Sequence, residues 1–265
     1  MPSQKMIRTA EPPRSEMRQF SELMVRMIEQ FSQRFKNQVF GELNKTTIEK
    51  FSDAQTGNFA TIFLNLTKKV IRKLLHQYSD DRIEEMVKEV TGRIDRHNQK
   101  VLYDKIEQRI GISTKELIAK EGLKSTINAF RIETEQWVKK LRDETLESFV
   151  ANSLRVMSMG GTLDDVMKDF NGLVDKRQDN ARMMARTQVT TFNSLLTKVR
   201  AQKLGIEKAI WASSEDERVR PSHAARDGKE FELSKGLYSS LDGKTLLPGT
   251  DYQCRCDYIL IIPED

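Results

Sequence analysis

The chain has 265 residues, of which 31% are charged and 7% aromatic, with only 13 glycines and 6 prolines. This balance favours long, solvated helices over a compact β fold. No stretch of 18 consecutive apolar residues occurs, which excludes a transmembrane helix and predicts no membrane partner. The N-terminal segment is basic but lacks the apolar region of a signal peptide, so we expect a protein kept in a reducing cytoplasm.

The net charge of +5 comes entirely from residues 1–150, since residues 151–265 are neutral overall. Interspersed charges are typical of the solvated surface of a helical domain. A basic cluster within this half could instead contact DNA through phosphate groups. Both interpretations stay open for its four members, Lys68, Lys69, Arg72 and Lys73.

The first 147 residues have the spacing of amphipathic helices. From residue 15, apolar residues recur every three or four positions, which predicts a long helix with Gly41 as an interruption. Three long helices are predicted to follow, over residues 63–78, 79–111 and 125–159, with a short one from a capping-box pattern at residues 113–116.

The last of these helices has Trp137 among its candidate core residues. After it, Thr162 and Asp165 have the spacing of a capping box, which predicts the start of another helix. A separate helix is predicted over residues 176–203, ending at Gly205.

The pattern then changes to short strands and turns. Residues 208–213 predict a strand in which Trp211 anchors a core, and turns are expected at residues 227–228 and 242–243. We therefore predict an α+β protein: a long, mostly helical region over residues 1–147, followed by a small α+β domain with a short antiparallel sheet over residues 148–265.

Both cysteines of the chain, Cys254 and Cys256, are separated by one residue before an apolar run. If they lie in a strand, they point to the same face and could bind Zn²⁺ with two further ligands. His223 is the candidate third ligand, and Asp216 or Asp227 the fourth. The alternative is a pair of buried, reduced cysteines that act as small hydrophobic residues.

The segment 211–228 concentrates charged and polar side chains. A catalytic interpretation makes His223 a general base and the neighbouring arginines phosphate ligands. The alternative is a polar loop whose side chains pair with one another to hold an irregular backbone. We expect the second, and therefore no catalytic residue, since no paired-carboxylate, H-x-E or phosphate-loop motif accompanies the histidine. The side chains concerned are Asp216, Arg218, Arg220, His223, Arg226 and Asp227.

Upstream of this loop, residues 181–193 predict an amphipathic helix. Arg182, Arg186 and Asn193 can share one polar face at helical spacing. Taken alone, this is an ordinary helix pattern.

In order, these elements resemble the phage head morphogenesis family typified by the minor head protein F of phage Mu. An AR-x-x-ART-x…N helix precedes GI…W…D-x-RVR-x-x-H…DG, and P-G…CRC follows. The resemblance covers about residues 148–262 and includes the Asp227–Gly228 pair. The chain departs from the family pattern at Gln188, where a glutamate is usual.

The resemblance implies a minor capsid protein of a tailed bacteriophage, found in the virion head near the portal vertex and in the host cytoplasm during assembly. It implies several copies that contact the portal and other head proteins and assist head assembly, DNA packaging or ejection. Since no catalytic motif is present, we expect no enzyme activity and no cofactor, with Zn²⁺ at His223, Cys254 and Cys256 as the one possible exception. The alternatives are a metal-dependent nuclease using Asp216, His223, Cys254 and Cys256, or a DNA-binding accessory protein.

Overall fold

The computed structural model describes residues 5–9, 11–47, 56–111, 113–114 and 122–263. Helices come first and short antiparallel strands last, which confirms the predicted α+β class. The helices are α1 (Arg14–Phe35), α2 (Gly41–Thr47), α3 (Thr56–Gln77), α4 (Asp80–Ile110), α5 (Lys124–Ser158), α6 (Leu163–Lys203) and α7 (Pro221–Ala224). The strands are β1 (Met6–Arg8), β2 (Lys208–Ala212), β3 (Glu230–Glu232), β4 (Leu237–Ser239), β5 (Lys244–Leu246) and β6 (Asp257–Ile261).

The long helices follow the apolar spacing of the sequence. In α1, Phe20, Met24, Met27 and Phe31 lie on one stripe and are buried. A π-helical turn, Lys36–Phe40, separates α1 from α2, so the regular register changes just before Gly41 while the backbone stays helical. Trp137 was predicted in the core, but 41% of it is exposed.

Helix α6 corrects the prediction of two separate helices after residue 162. It runs without a break for 41 residues. The predicted capping box is present, since the Asp165 carboxylate accepts hydrogen bonds from the backbone N–H and hydroxyl of Thr162. The helix ends as predicted, with Gly205 in the left-handed region at φ 75°. The capping box predicted at residues 113–116 lies mostly outside the described residues.

The chain forms two compact units that are each assembled from separate segments. Unit 1 contains Met1–Phe20, Lys88–Ile132 and Met184–Asp265, and unit 2 contains Ser21–Val87 and Glu133–Met183. The domain boundary predicted after residue 147 lies within α5 and stays a prediction. None of the helices in the described ranges is long and apolar enough to span a membrane.

Unit 2 has an aromatic core centred on Phe170. Its ring lies 4.5 Å from that of Phe149, 5.0 Å from that of Phe40 and 6.0 Å from that of Phe35, measured between centroids. Since all four side chains are almost completely buried, this cluster joins α1, the π-helical turn, α5 and α6.

Unit 1 contains a four-stranded sheet in the order β1-β6-β2-β3, with every pairing antiparallel. The strand β1 was not predicted. Its Met6 pairs with Ile261 of β6, which brings together segments from opposite parts of the sequence. The core beneath the sheet includes Trp211, which is completely buried and confirms its predicted position.

The turns predicted around the sheet are confirmed. Strands β4 and β5 form a two-stranded hairpin whose turn contains Gly243 at φ 65°. At the other turn, Gly228 has φ 70° and its N–H donates to the carbonyl of Trp211. This hydrogen bond brings residue 228 back beside Trp211, near the end of β2.

The first residue of β6, Asp257, has a buried carboxyl group. Its Oδ1 accepts hydrogen bonds from the Thr9 hydroxyl and from the backbone N–H of Tyr258. Its Oδ2 has no partner among the described residues. Because burial disfavours the carboxylate, the pKa of Asp257 rises to about 6.

We expect Asp257→Asn to stabilise the protein at pH 8 and not at pH 3. A raised folded-state pKa means that the carboxyl group's stabilising contribution is present below pH 3.8 and lost as the pH rises through about 6. Asparagine stays neutral at every pH. The free energy of unfolding of Asp257→Asn relative to the wild type should therefore increase by up to roughly 3 kcal/mol as the pH rises over this interval. Urea unfolding at pH 3, 5 and 8 measures it.

The matched control is Asp165→Asn, because the Thr162 hydrogen bonds lower the pKa of the Asp165 carboxyl. The stabilising contribution of the Asp165 carboxylate is present above its unfolded-state pKa and is lost on acidification. Relative to the wild type, Asp165→Asn should therefore lower the free energy of unfolding more at pH 8 than at pH 3. An Asp257→Asn effect of equal size at all three pH values would contradict the burial argument.

Candidate functional site

The antiparallel pairing of β2 with β6 explains how distant polar residues meet. Trp211 lies opposite Tyr258 and Ala212 opposite Asp257. The last residue of β2 and the first residue of β6 therefore lie at the same end of this strand pair. The polar loop and α7 follow β2 there, and Cys254 and Cys256 precede β6.

Three buried side chains converge at this end of the strand pair. The Nδ1 atom of His223 lies 3.5 Å from Sγ of Cys254 and 3.4 Å from Sγ of Cys256. All three side chains are buried. The fold therefore brings together the three residues that the sequence analysis considered as candidate metal ligands.

The route by which the cysteines meet differs from the prediction. Neither lies in a strand, since β6 begins at Asp257. They lie in an irregular segment after Gln253, whose φ is 51°. The backbone N–H of Cys256 donates to Sγ of Cys254 at 3.4 Å, which holds both sulfurs on the side of His223.

The opposite nitrogen of His223 is oriented by a carboxylate that the sequence analysis did not single out. Nε2 lies 3.1 Å from Oδ2 of Asp251. The same oxygen accepts a hydrogen bond of 2.9 Å from Arg220, which also donates to the carbonyl of Tyr252. The imidazole is thus fixed from both sides, with Nδ1 facing the sulfurs.

The electrostatics of the group follow from these contacts. The hydrogen bond with Cys254 raises the pKa of His223 against the effect of burial, and Asp251 adds to the rise. The hydrogen bond from Cys256 lowers the pKa of Cys254 well below its usual range. The pKa of Cys256 rises, because its thiol proton is held by the neighbouring thiolate. The group therefore favours one thiolate beside a protonated histidine.

A cavity of about 130 Å³ opens onto this group. Four arginines contribute to its walls, together with Ser214, Val219 and Gln253. The arginines are Arg186 of α6, Arg218 and Arg220 of the polar loop, and Arg255 between the two cysteines. Because Arg220 pairs with Asp251 and Arg255 with Asp216, the attraction of this wall for anions comes mainly from Arg186 and Arg218.

The two aspartates considered as fourth metal ligands lie outside the group of three. Asp216 forms a two-point ion pair with Arg255 and accepts the backbone N–H of Arg218, and Arg255 lowers the pKa of Asp216. Asp227 accepts the backbone N–H of Ser213 at 2.6 Å. Both carboxylates organise the loop, as the structural interpretation of the segment expects.

Arg226 is the residue of this segment that the sequence analysis undervalued. It is completely buried, and its guanidinium lies 5.4 Å from the centre of the Trp211 ring. It donates two hydrogen bonds of 2.9 Å to the carboxylate of Asp242. It also donates to the carbonyls of Ser222, Leu237 and Lys244. The only sequence signal was a second Asp-Gly turn, which begins at Asp242, 16 residues after Arg226.

The residues predicted to share a polar face of α6 have different surroundings. Arg182 is exposed and pairs with Asp179 one turn earlier. Asn193 is buried, and its Oδ1 accepts a hydrogen bond from Nδ2 of Asn98 at 2.9 Å. Of the three predicted residues, only Arg186 reaches the cavity.

The basic cluster lies on the exposed surface of α3. All four side chains are exposed, and each follows its neighbours by one, three or four positions. The cluster consists of Lys68, Lys69, Arg72 and Lys73.

Comparison with known proteins confirms the resemblance of the C-terminal part. Residues 147–259 match the family described as Phage Mu protein F like protein. The chain is also 27% identical over 236 residues to a protein of Haemophilus influenzae (strain ATCC 51907 / DSM 11121 / KW20 / Rd) described as "Uncharacterized protein". That alignment covers 89% of this chain and 52% of the relative, so the chain spans about half of that protein. No solved structure matches.

Proposed function

From the membership of residues 147–259 in the phage Mu protein F-like family, we propose that the chain is a head morphogenesis protein of a tailed bacteriophage. The family match is the observation that carries this function. It contains the whole of α6, the cavity-forming loop, α7 and both cysteines.

We further propose a minor capsid protein near the portal vertex, which contacts the portal and other head proteins in several copies. In this role it assists head assembly, DNA packaging or ejection without catalysing a reaction. The long helices support the proposal, because amphipathic helices provide extended surfaces for docking on other proteins.

Quantitative mass spectrometry of purified heads and virions tests this function. We expect the full chain in far fewer copies than the major capsid protein, and we expect a tagged portal ring to retain it. A phage with a stop codon in this gene should produce fewer filled heads. Absence from heads together with no portal binding would contradict the proposal, as would metal-dependent DNA or RNA cleavage lost in His223→Ala.

The basic cluster of α3 is proposed to contact packaged DNA. Replacing Lys68, Lys69, Arg72 and Lys73 with alanine should weaken retention of the full chain on duplex DNA at low salt. It should also reduce the dependence of the logarithm of the binding constant on the logarithm of salt, by roughly 0.9 per lost phosphate contact. Fluorescence anisotropy over a salt series measures both quantities.

The matched control removes the same charge from scattered, exposed lysines elsewhere. Alanines at Lys88, Lys100, Lys203 and Lys229 change the net charge equally without touching the cluster. Unchanged binding after removal of the α3 cluster, or equal weakening in both variants, would show that the cluster is only part of a solvated surface.

A further inference from the structure

We propose that His223, Cys254 and Cys256 bind one Zn²⁺ ion through Nδ1 and the two Sγ atoms, leaving a fourth coordination position open to the arginine-lined cavity. This inference rests on the geometry of the three side chains and is independent of the role in phage heads. It predicts a metal centre with three protein ligands.

The spacing of the ligand atoms fits a tetrahedral zinc ion. A Zn–S bond of about 2.3 Å and a Zn–N bond of about 2.0–2.1 Å, at the tetrahedral angle, place sulfur and nitrogen about 3.5 Å apart. The two distances from Nδ1 of His223 are 3.5 Å and 3.4 Å. The distances from His223 to both sulfurs are therefore already those of a tetrahedral zinc site.

The histidine is held in the orientation that a metal ligand requires. The carboxylate of Asp251 accepts a hydrogen bond from Nε2–H of His223. In the neutral imidazole the proton therefore lies on Nε2, and the lone pair of Nδ1 faces the sulfurs. Arg220 in turn fixes Asp251. A carboxylate that orients a ligating histidine through its second nitrogen is a recurrent partner of zinc sites.

The donor set selects the metal. Two thiolates and one imidazole are soft and borderline donors, which favour Zn²⁺ over Mg²⁺ or Ca²⁺. The charge of two thiolates balances that of the ion, so binding releases to solvent both the remaining thiol proton and the proton on Nδ1 of a protonated His223. The backbone N–H of Cys256 already donates to Cys254 Sγ, an interaction that also suits a thiolate bound to a metal.

The fourth position differs from the three filled ones. Within the described ranges, no other histidine, cysteine or acidic side chain joins the group of three. The three ligands line the cavity that also presents Arg186, Arg218 and Arg255. Zinc sites with three protein ligands hold an exchangeable water, and an arginine wall favours its replacement by a small anion.

Cobalt substitution provides the test. Since the chain contains only two cysteines, sulfur-to-cobalt charge-transfer absorption in the near ultraviolet can come only from this pair. We expect that absorption, with the strong visible bands of tetrahedral Co²⁺, at one equivalent per reduced full-length chain. One equivalent of Zn²⁺ should displace it. Addition of azide should shift the visible bands, because azide enters the open position.

Matched variants separate ligands from neighbours. Cys254→Ser and Cys256→Ser should each reduce the charge-transfer absorption and weaken zinc binding, whereas His76→Ala, which changes an exposed histidine of α3, should change neither. Asp251→Asn should keep the spectrum but weaken zinc affinity by roughly 10- to 100-fold. Circular dichroism identifies variants that do not fold, and Asp251→Asn then carries the comparison.

Three outcomes would overturn the proposal or part of it. Cobalt binding without sulfur charge transfer would exclude the cysteines as ligands. Equal zinc affinity in the wild type and Asp251→Asn would exclude the oriented histidine. Visible bands that do not respond to azide would show that a fourth protein ligand closes the site.

Discussion

Replacement of Arg226 by alanine is expected to lower the free energy of unfolding by about 3–5 kcal/mol, because it removes a completely buried side chain together with its ion pair to the half-buried Asp242. The guanidinium donates to Asp242 and to three backbone carbonyls, and it lies over the Trp211 ring. Alanine would remove the donor of these five hydrogen bonds, leave Asp242 with its bond from the backbone N–H of Lys244, and open a space in the core. Urea unfolding followed by circular dichroism measures the loss.

Two variants control for this interpretation. Arg226→Lys keeps the charge but cannot reproduce the planar, two-point contact with Asp242, so we expect an intermediate loss. Arg218→Ala removes an exposed arginine from the same loop and should change stability by no more than about 0.5 kcal/mol. Similar small losses for Arg226→Ala and Arg218→Ala would show that the buried contacts contribute little.

Phe170→Ala is expected to destabilise unit 2 by about 3–5 kcal/mol. The ring contacts Phe35, Phe40 and Phe149 within 6.0 Å, and the residue is 2% exposed. Truncation removes these aromatic contacts and leaves a cavity where α1, the π-helical turn, α5 and α6 meet. Differential scanning calorimetry should show a lower unfolding temperature for the transition of this unit.

Two variants control for the effects of side-chain volume and of solvent exposure. Phe170→Leu keeps much of the buried volume and should lose clearly less than the alanine variant. Trp137→Ala removes a larger side chain that is 41% exposed, so its cost should also be smaller. A larger loss for Trp137→Ala than for Phe170→Ala would mean that the aromatic cluster is not the core of unit 2.

The sequence predicted the local elements of the fold well, because helices and turns are determined by nearby residues. The apolar stripe of α1, the capping box at Thr162 and the glycine turns all follow from spacing and backbone preference. The sequence analysis divided the continuous α6 into a helix that starts at Thr162 and a separate one over residues 176–203. The helix pattern alone did not exclude either arrangement.

The pairing of β1 with β6 could not be predicted from three residues of weak β character. Strand pairing depends on partners far along the chain, and residues 6–8 carry no hairpin signal. The exposure of Trp137 also depends on tertiary packing, since helical spacing identifies a face but not what covers it.

The candidate site was predictable in part. Residue type suggested His223, Cys254 and Cys256 as one group, and the fold brings them together. Asp251 and Arg226 were not distinguished from other charged residues, because only the fold reveals which charges are buried or oriented. The strand predicted over the cysteines was wrong, since the left-handed turn at Gln253 precedes an irregular segment.

The central position of β6 has a consequence for the timing of folding. Its neighbours β1 and β2 are made long before it, and the edge of β2 that pairs with β6 stays open until residues 257–261 leave the ribosome. Contacts between segments so far apart in sequence form slowly. During synthesis, β2 therefore exposes an unpaired edge, and the cluster of His223, Cys254 and Cys256 can form only after residue 256 has been translated.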